Sequence, residues 1–339
     1  MLRKSARSGD GRLGMRFSCA KRAVLSARAS RAYTHHRLSR EREAAVFLIA
    51  TMSARLSLLA HVTYYDSNVS QATAGASKSL KGSSGWRDFC FGAVVQMLEE
   101  MESAYTAFGR IDVVMDVNEG NGYQDQLREW PHRRSPPASR VTVRIDEHAK
   151  AKLSHPFRLA WMHREHMGSS VESYDWFLSA EADTFIPARA MASQVALAEE
   201  LYKRHNALLG FVRLCNDTNG RAFYSDITKP VARATVVQFP ELGAFVPPQN
   251  TYAAVWAYPR TIMRGFVKSE DWMPTLKTTR AMREKAAWGW KHGRILTLAD
   301  DPSLRIYHLG KSGPYLVRVR GHNTLPAAKM ITPPLPGGV

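Results

Sequence analysis

A regular alternation of short apolar runs with longer amphipathic stretches between residues 56 and 204 is the strongest constraint on the fold. The run Leu56 to Thr63 is apolar and β-branched towards its end, as expected of a buried strand. Residues Trp86 to Phe108 carry apolar side chains at helical spacing, with acids on the other face. The same reasoning predicts strands at Ile111 to Val117, Val141 to Ile145 and Trp176 to Ala180, and helices at Arg158 to Met167 and Ala188 to Arg204. This alternation predicts an α/β fold with a mainly parallel sheet flanked by helices on both faces.

The later half of the chain is less regular. Its apolar runs predict three strands and an amphipathic helix, at Leu208 to Leu214, Thr235 to Phe239, Tyr252 to Tyr258 and Thr278 to His292. We therefore expect one domain over residues 52 to 320, followed by a loose Pro/Gly-rich tail at 321 to 339.

The basic charge is concentrated at the start of the chain. The protein has 339 residues and a net charge of +17, and residues 1 to 43 hold 12 Lys and Arg against 3 Asp and Glu. Residues 1 to 51 are predicted to be a basic disordered arm, a transit-like segment or a weak signal anchor, because Arg55 interrupts the apolar run that follows Ala44. A basic RNA-associated protein is the alternative that this arm suggests. The chain lacks RNA-binding aromatic motifs, recognition-helix patterns and zinc-finger spacing, so we expect no nucleic-acid partner.

Compartment and membrane association stay open at this level. Three scattered cysteines form no disulfide framework. Asn68-Val69-Ser70 and Asn216-Asp217-Thr218 match the glycosylation pattern and favour the secretory pathway, Golgi or endoplasmic reticulum, over an organelle or the cytoplasm.

An acidic turn is the most informative feature for function. The apolar strand Trp176 to Ala180 runs directly into Glu181 and Asp183, and Pro187 closes the segment. In an open α/β sheet, ligands bind at the carboxyl ends of the strands. Two carboxylates at that place can hold Mg²⁺ or Mn²⁺ together with substrate phosphates. A pair of solvated turn acids is the alternative interpretation.

Several motifs in a fixed order resemble the nucleotide-diphospho-sugar transferase superfamily. The segments His155 to Arg164 and Tyr174 to Pro187 resemble its "HPF-LTW-HR" and "YDYFLYSEDDI-IP" stretches. Matching segments follow at Asn250 to Trp256, Lys268 to Trp272, Arg283 to Gly289 and Tyr307 to Leu309. The resemblance implies a GT-A fold, a divalent metal, a nucleotide-sugar donor, and a glycan, lipid or protein acceptor.

The resemblance also implies roles at the metal site. Asp183 would be the principal ligand and Glu181 a supporting one, while His308 would reach the metal or the leaving diphosphate. A histidine with a structural role only is the alternative for His308. The chain departs from the family pattern at Ala182, where the family has a carboxylate. A catalytically weak or inactive nucleotide-sugar-binding relative is therefore the alternative function.

Strand-end loops are expected to line a nucleotide pocket. Tyr64 could stack on the base, and carboxylates or amides nearby could accept from the base or ribose, although a tyrosine that caps the core is the structural alternative. Cationic side chains on the helix at Arg158 to Met167 would offset the charge of the diphosphate. The expected nucleotide-binding residues are Tyr64, Asp66, Asp116, Asn118, Arg158 and Arg164.

An inverting transferase needs a carboxylate that takes the proton of the acceptor hydroxyl. The candidates are Asp271, Glu270 and Glu284, and we favour Asp271 because its Ser-Glu-Asp-Trp context resembles the family's base motif. His163 and His166 are spaced as a metal pair, but no third ligand stands at a recognised distance, so we do not predict zinc.

Overall fold

A computed structural model gives the structure of the protein. It describes residues 56–64, 84–120, 122–130, 139–149, 153, 156–216, 222–224, 236–248, 253–273, 282–287, 289–290, 294–299, 301–309, 317–318 and 330–331. The predicted arm at 1–51, Asp66 and the side chain of Glu284 lie outside this description.

Strands and helices alternate through the first half of the described chain. The strands are β1 (Leu56–Tyr64), β2 (Phe108–Asn118), β3 (Val141–His148), β4 (Trp176–Glu181), β5 (Thr184–Phe185), β6 (Ala207–Leu209), β7 (Val212–Asn216), β8 (Ala222–Tyr224), β9 (Val236–Phe239), β10 (Gly243–Val246), β11 (Val255–Pro259), β12 (Arg294–Leu298), β13 (Arg305–His308), β14 (Val317–Arg318) and β15 (Met330–Ile331). The helices are α1 (Ser84–Ala104), α2 (Gln124–Glu129), α3 (His163–Ser169), α4 (Ala188–His205), α5 (Arg260–Val267) and α6 (Met282–Ala287). Short 3-10 turns lie at Pro156–Trp161 and Pro302–Leu304. Among the described helices, none is long and apolar enough to cross a membrane.

The first sheet has the strand order β11-β4-β1-β2-β3. Strands β1, β2, β3 and β4 are parallel, and β11 runs antiparallel to β4. Thr63 of β1 pairs with Asp116 of β2 on one side and with Glu181 of β4 on the other. The carboxyl ends of three strands therefore meet at one edge, where the sequence predicts the site.

The α/β class is confirmed, but the prediction of a mainly parallel sheet is wrong for the described chain. The other two sheets have the orders β15-β9-β10-β12-β6 and β14-β8-β7-β13-β5, and both mix the two directions. Half of the described strand pairs are antiparallel. The physical reason is short connections such as the one between β9 and β10, which only antiparallel strands can use.

Several predicted element boundaries also differ. The helix predicted at Arg158 to Met167 is a 3-10 turn, Pro156–Trp161, followed by α3, and the helix predicted at Thr278 to His292 is helical at Met282–Ala287 within the described residues. Strand pairing explains two further differences. The helix predicted to reach Phe108 ends at Ala104, because Phe108 pairs with Leu56 in the first sheet. The strand predicted from Leu208 to Leu214 is divided into β6 and β7. The division falls at Gly210, beyond which the chain leaves β12 and pairs with β13 in another sheet.

The first sheet is covered on both faces. Leu58, Ala60 and Val62 of β1 point to one face and belong to a core that includes residues of α1 and α4. Leu59 of β1 points to the opposite face, with a cluster of aromatic side chains that includes Phe266. Burying each large apolar side chain contributes about 1.5–3 kcal/mol, so these two layers dominate the stability of the domain.

Candidate active site at the carboxyl edge of the first sheet

The backbone of the acidic turn is fixed from both sides. Ala182 N–H donates to Thr63 O at 3.0 Å, and Glu181 N–H donates to Ala254 O at 3.1 Å. Ala254 is buried and has a φ of 55°, a left-handed conformation that costs an alanine about 1–2 kcal/mol. The turn that carries Glu181 and Asp183 is therefore a well-anchored continuation of β4.

His308 lies against the acidic turn. Pairing of β5 with β13 places it opposite Thr184, and its Nε2 lies 3.0 Å from Asp183 Oδ2. Leu309 N–H donates to Asp183 O at 2.8 Å. Two residues that the sequence names as metal ligands, 125 positions apart, are thus in direct contact.

Arg213 also contacts this turn, and it is not among the residues that the sequence predicts for the site. Its Nη2 lies 3.6 Å from Glu181 Oε2 and 3.6 Å from Asp183 Oδ1. The Arg213 side chain is 4% exposed, against 17% and 20% for the two acids. The position of Arg213 between apolar residues at the start of β7 could have indicated this contact, because a buried guanidinium needs an acidic partner.

The chemistry of this pair fits a divalent cation. The 3.0 Å between Asp183 Oδ2 and His308 Nε2 is a hydrogen-bond distance, and both atoms are of kinds that bind metal ions. Carboxylates suit Mg²⁺ and Mn²⁺, and the imidazole favours a transition-metal ion. Within the described part of the chain, no three acidic, histidine or cysteine side chains converge as a metal-holding group.

Two of the residues expected at the nucleotide have structural positions instead. Tyr64 is buried and belongs to the core that includes Val117 and α1, the alternative that the sequence left open. Arg164 is fully buried, and its guanidinium donates to the backbone carbonyls of Asp271, Trp272 and Ala286. Burial lowers the pKa of Arg164 to about 9, with the charge of Asp271 opposing the shift. The prediction that Arg164 meets the diphosphate is therefore corrected, because these donors are already in use.

The other expected residues lie at the surface or at the sheet edge. Arg158 and Glu270 are exposed, and Asp271 is half-buried. Asn118 is buried at the end of β2, where its Nδ2 donates to Glu119 O at 3.3 Å.

Asp116 is enclosed by histidines. His61 Nδ1 lies 2.7 Å from Asp116 Oδ2, and His148 Nε2 lies 3.0 Å from Asp116 Oδ1. Burial alone would raise the pKa of Asp116, but the hydrogen bonds from His148 and His61 and the charges of His61 and His163 lower it to about 2. Each carboxylate oxygen of Asp116 thus has a histidine partner. In this conformation, neither oxygen is left for the predicted contact with a base or ribose.

The histidine cluster extends onto α3. His61 Nε2 lies 2.8 Å from His166 Nδ1, and the ring of His163 lies 6.2 Å from that of His61. Burial, the charge of Arg164 and the charge of His61 lower the pKa of His163 well below its ordinary value. In the sequence, Asp116 and His61 stand out as polar residues within strand patterns. The sequence analysis predicts a role in the site for Asp116 but not for His61.

Comparison of the chain with protein-family models and with curated protein sequences gives no match. The geometry of this edge and the motifs in the sequence are therefore the basis for assigning a function.

Proposed function

We propose that the protein is a nucleotide-sugar-dependent glycosyltransferase of the GT-A type, with the donor bound at the carboxyl edge of β1, β2 and β4. The observation that carries the proposal is the contact between Asp183 and His308 beside a strand that ends in an acidic turn. Four parallel strands with an antiparallel neighbour support the Rossmann-like part of the proposal.

In this proposal a divalent ion, Mn²⁺ or Mg²⁺, is held by Asp183 and His308, with Glu181 in support. The ion supplies positive charge that offsets the charge developing on the leaving diphosphate. Arg213 holds both carboxylates of the turn in place and adds a fixed cation next to them. Asn118 and Arg158 remain the candidates for contacts to the nucleotide.

The acceptor contributes a hydroxyl group from a glycan, lipid or protein, and the secretory pathway is the proposed compartment. Among the carboxylates that the sequence names as base, Asp271 is the candidate. Its side chain is half-buried beside Trp272, whereas that of Glu270 is exposed.

A non-catalytic nucleotide-sugar-binding relative is the second candidate, favoured by two observations. Ala182 replaces the central carboxylate of the family motif, and the guanidinium of Arg213 already provides a positive charge 3.6 Å from both remaining acids. Product formation separates the two candidates, since a binding-only protein forms none.

Replacing Asp183 with Asn tests the proposal. The amide keeps the shape of the side chain but removes the charge that a divalent ion needs, so Mn²⁺-dependent binding of a UDP- or GDP-sugar is expected to disappear in calorimetry. Asp125→Asn is the matched control, because Asp125 is an exposed surface acid whose loss changes stability by about 0.5 kcal/mol or less. Unchanged Mn²⁺-dependent affinity in Asp183→Asn would show that the acidic turn is only a surface feature.

A further inference from the structure

A continuous chain of polar groups crosses the interior between β2 and α3. Asp116 near the end of β2 and His61 in the mainly apolar strand β1 are both buried, and His166 on α3 is half-buried. The contacts run from Asp116 Oδ2 to His61 Nδ1 at 2.7 Å and from His61 Nε2 to His166 Nδ1 at 2.8 Å. Burying such groups is costly unless each is hydrogen-bonded, and the two buried members, Asp116 and His61, meet that condition.

The chain of groups adjoins the acidic turn. His61 precedes Thr63 by two positions on β1, and Thr63 pairs with Glu181. His61 and Glu181 point to the same face of the sheet, the face that Leu59 and Phe177 also line. From the strand spacing and rise, the Cα atoms of His61 and Glu181 lie about 8 Å apart. His61 therefore stands on the same face of the sheet as the acidic turn, one strand away from it.

The hydrogen bonds restrict the positions of the protons. Asp116 is ionised and accepts only, so His61 Nδ1 carries a proton. One further proton lies between His61 Nε2 and His166 Nδ1. If His166 Nδ1 holds it, His61 is neutral and His166 Nε2 has a free lone pair. If His61 Nε2 holds it, His61 is an imidazolium that donates to both neighbours.

We propose that Asp116, His61 and His166 form a proton relay in which Nε2 of His166 accepts the proton of the acceptor hydroxyl. The proposal rests on the proposed glycosyl transfer, and in it His166 is the catalytic residue while His61 and Asp116 are positioning residues. The hydroxyl O–H bond breaks and an N–H bond forms at Nε2. The Nδ1 proton of His166 then passes to His61 Nε2. The oxygen electron pair forms the new bond to the sugar carbon as the bond from that carbon to the diphosphate breaks.

The surrounding charges suit the state of the relay that follows proton transfer. Arg144 Nη2 lies 3.4 Å from His166 Nδ1 and can donate to it once the proton has moved to His61. The new charge on His61 then faces the carboxylate of Asp116, while His148 occupies the other oxygen of that carboxylate. In the described part of the chain, Asp146, His163 and Arg164 are further charged or titratable groups near the relay.

The resting state of His166 is compatible with a base. Burial is the main cause that lowers the pKa of His166, and the charge of Arg144 acts in the same direction, while Asp146 and Asp116 oppose the shift. His166 is thus mainly neutral at pH 7, as an imidazole that accepts a proton must be.

Turnover of His166→Gln tests the relay. We expect turnover to fall by about 10²-fold or more, while Mn²⁺-dependent donor affinity, measured by calorimetry, stays within about twofold. His205→Gln is the control, since His205 pairs with Glu241 at the surface and keeps normal turnover. Full turnover in His166→Gln with loss in a parallel Asp271→Asn variant would assign the base to Asp271 and overturn the relay. Absence of donor binding in the wild-type protein would instead refute the proposed function.

A second measurement needs no turnover and no variant. In ¹⁵N NMR of the wild-type protein at pH 7.5, Nδ1 of His61 is expected to carry a proton and Nε2 of His166 to carry none. A protonated Nε2 on His166 would contradict the proposal.

A third measurement uses the Asp116→Asn variant, provided that circular dichroism shows it to be folded. The relay requires the acidic limb of its pH–turnover profile to move, which the loss of a purely structural hydrogen bond would not cause.

Discussion

At the scale of single residues, Arg164 shows how a cation can be structural in a segment that resembles a binding motif. Its guanidinium lies over the rings of Trp161, Phe266 and Trp272, at 4.7–4.8 Å, and donates to three backbone carbonyls. Arg164 therefore connects α3 to the backbone at Asp271 and Trp272 and to α6. Such contacts stabilise a buried guanidinium.

We predict that Arg164→Met destabilises the protein by about 3 kcal/mol or more, because it leaves buried carbonyls without their donors. Urea denaturation measures this loss. Arg158→Met is the matched control, since Arg158 is exposed and its replacement should change stability by about 0.5 kcal/mol or less. A stable Arg164→Met protein that no longer binds the donor would restore the role that the sequence predicts for Arg164.

The sequence identifies some residues of the site but not their partners. Glu181 and Asp183 are visible because a strand pattern ends at them, and strand ends collect ligands. Their contacts with Arg213 and His308 depend on the pairing of β7, β13 and β5, strands of two to five residues with little pattern of their own. His61 was missed for a different reason: a single histidine in an apolar strand gives no indication of which group it meets.

At the scale of elements, α4 begins at a point that α1 fixes. Its first N–H group, on Ala188, donates to Glu100 Oε1 at 2.6 Å, and its N-cap residue is a proline that offers no side-chain acceptor. At the other end, Asn206 takes a left-handed conformation with φ 46° after three basic residues. Both ends follow the usual chemistry of helix termini, an anion at the start and cations at the end.

We predict that Glu100→Gln lowers the free energy of unfolding by about 0.5–2 kcal/mol, because the start of α4 loses its anionic partner. Chemical denaturation is the measurement. Glu199→Gln, which removes an exposed ion pair with Lys203 on the same helix, should cost less than about 0.5 kcal/mol. Equal effects of the two substitutions would show that the contact to Ala188 adds nothing.

The boundaries of α4 illustrate what the sequence can predict about elements. Its apolar spacing and the residues that flank it predict a helix from Ala188 to Arg204, and the structure confirms that helix within one residue. The division of the next segment into β6 and β7 could not be predicted in this way. It depends on β12, more than 80 positions later, whose Leu296 O accepts from Gly210 N–H and ends the first of the two strands.

At the scale of the whole molecule, buried ionisable groups make stability depend on pH. The pKa of His163 is lowered, chiefly by burial, and that of His166 is lowered for the same first reason. A histidine with a lowered pKa binds fewer protons in the folded protein than in the unfolded chain. Its contribution is therefore complete above the unfolded pKa of about 6.5 and is lost as the pH falls below that value.

We predict that the free energy of unfolding decreases between pH 7 and pH 5. It should decrease again below about pH 4, because Asp116, with its folded-state pKa of about 2, then begins to bind a proton in the unfolded chain. Urea titrations at several pH values measure both steps. His163→Gln should flatten the first step. A free energy of unfolding that stays constant or rises from pH 7 to pH 5 would contradict this account.

Strand β3 is the outermost strand of the first sheet in the described structure, and this position bears on solubility. An outer strand with unpaired backbone groups can join the sheet of another molecule and begin aggregation. Here that strand carries Arg144, Asp146 and Glu147, charged side chains that oppose such stacking. High salt screens these charges, since the Debye length falls to about 3 Å at 1 M, and so favours self-association. Purification and storage at moderate ionic strength should therefore keep the protein dispersed.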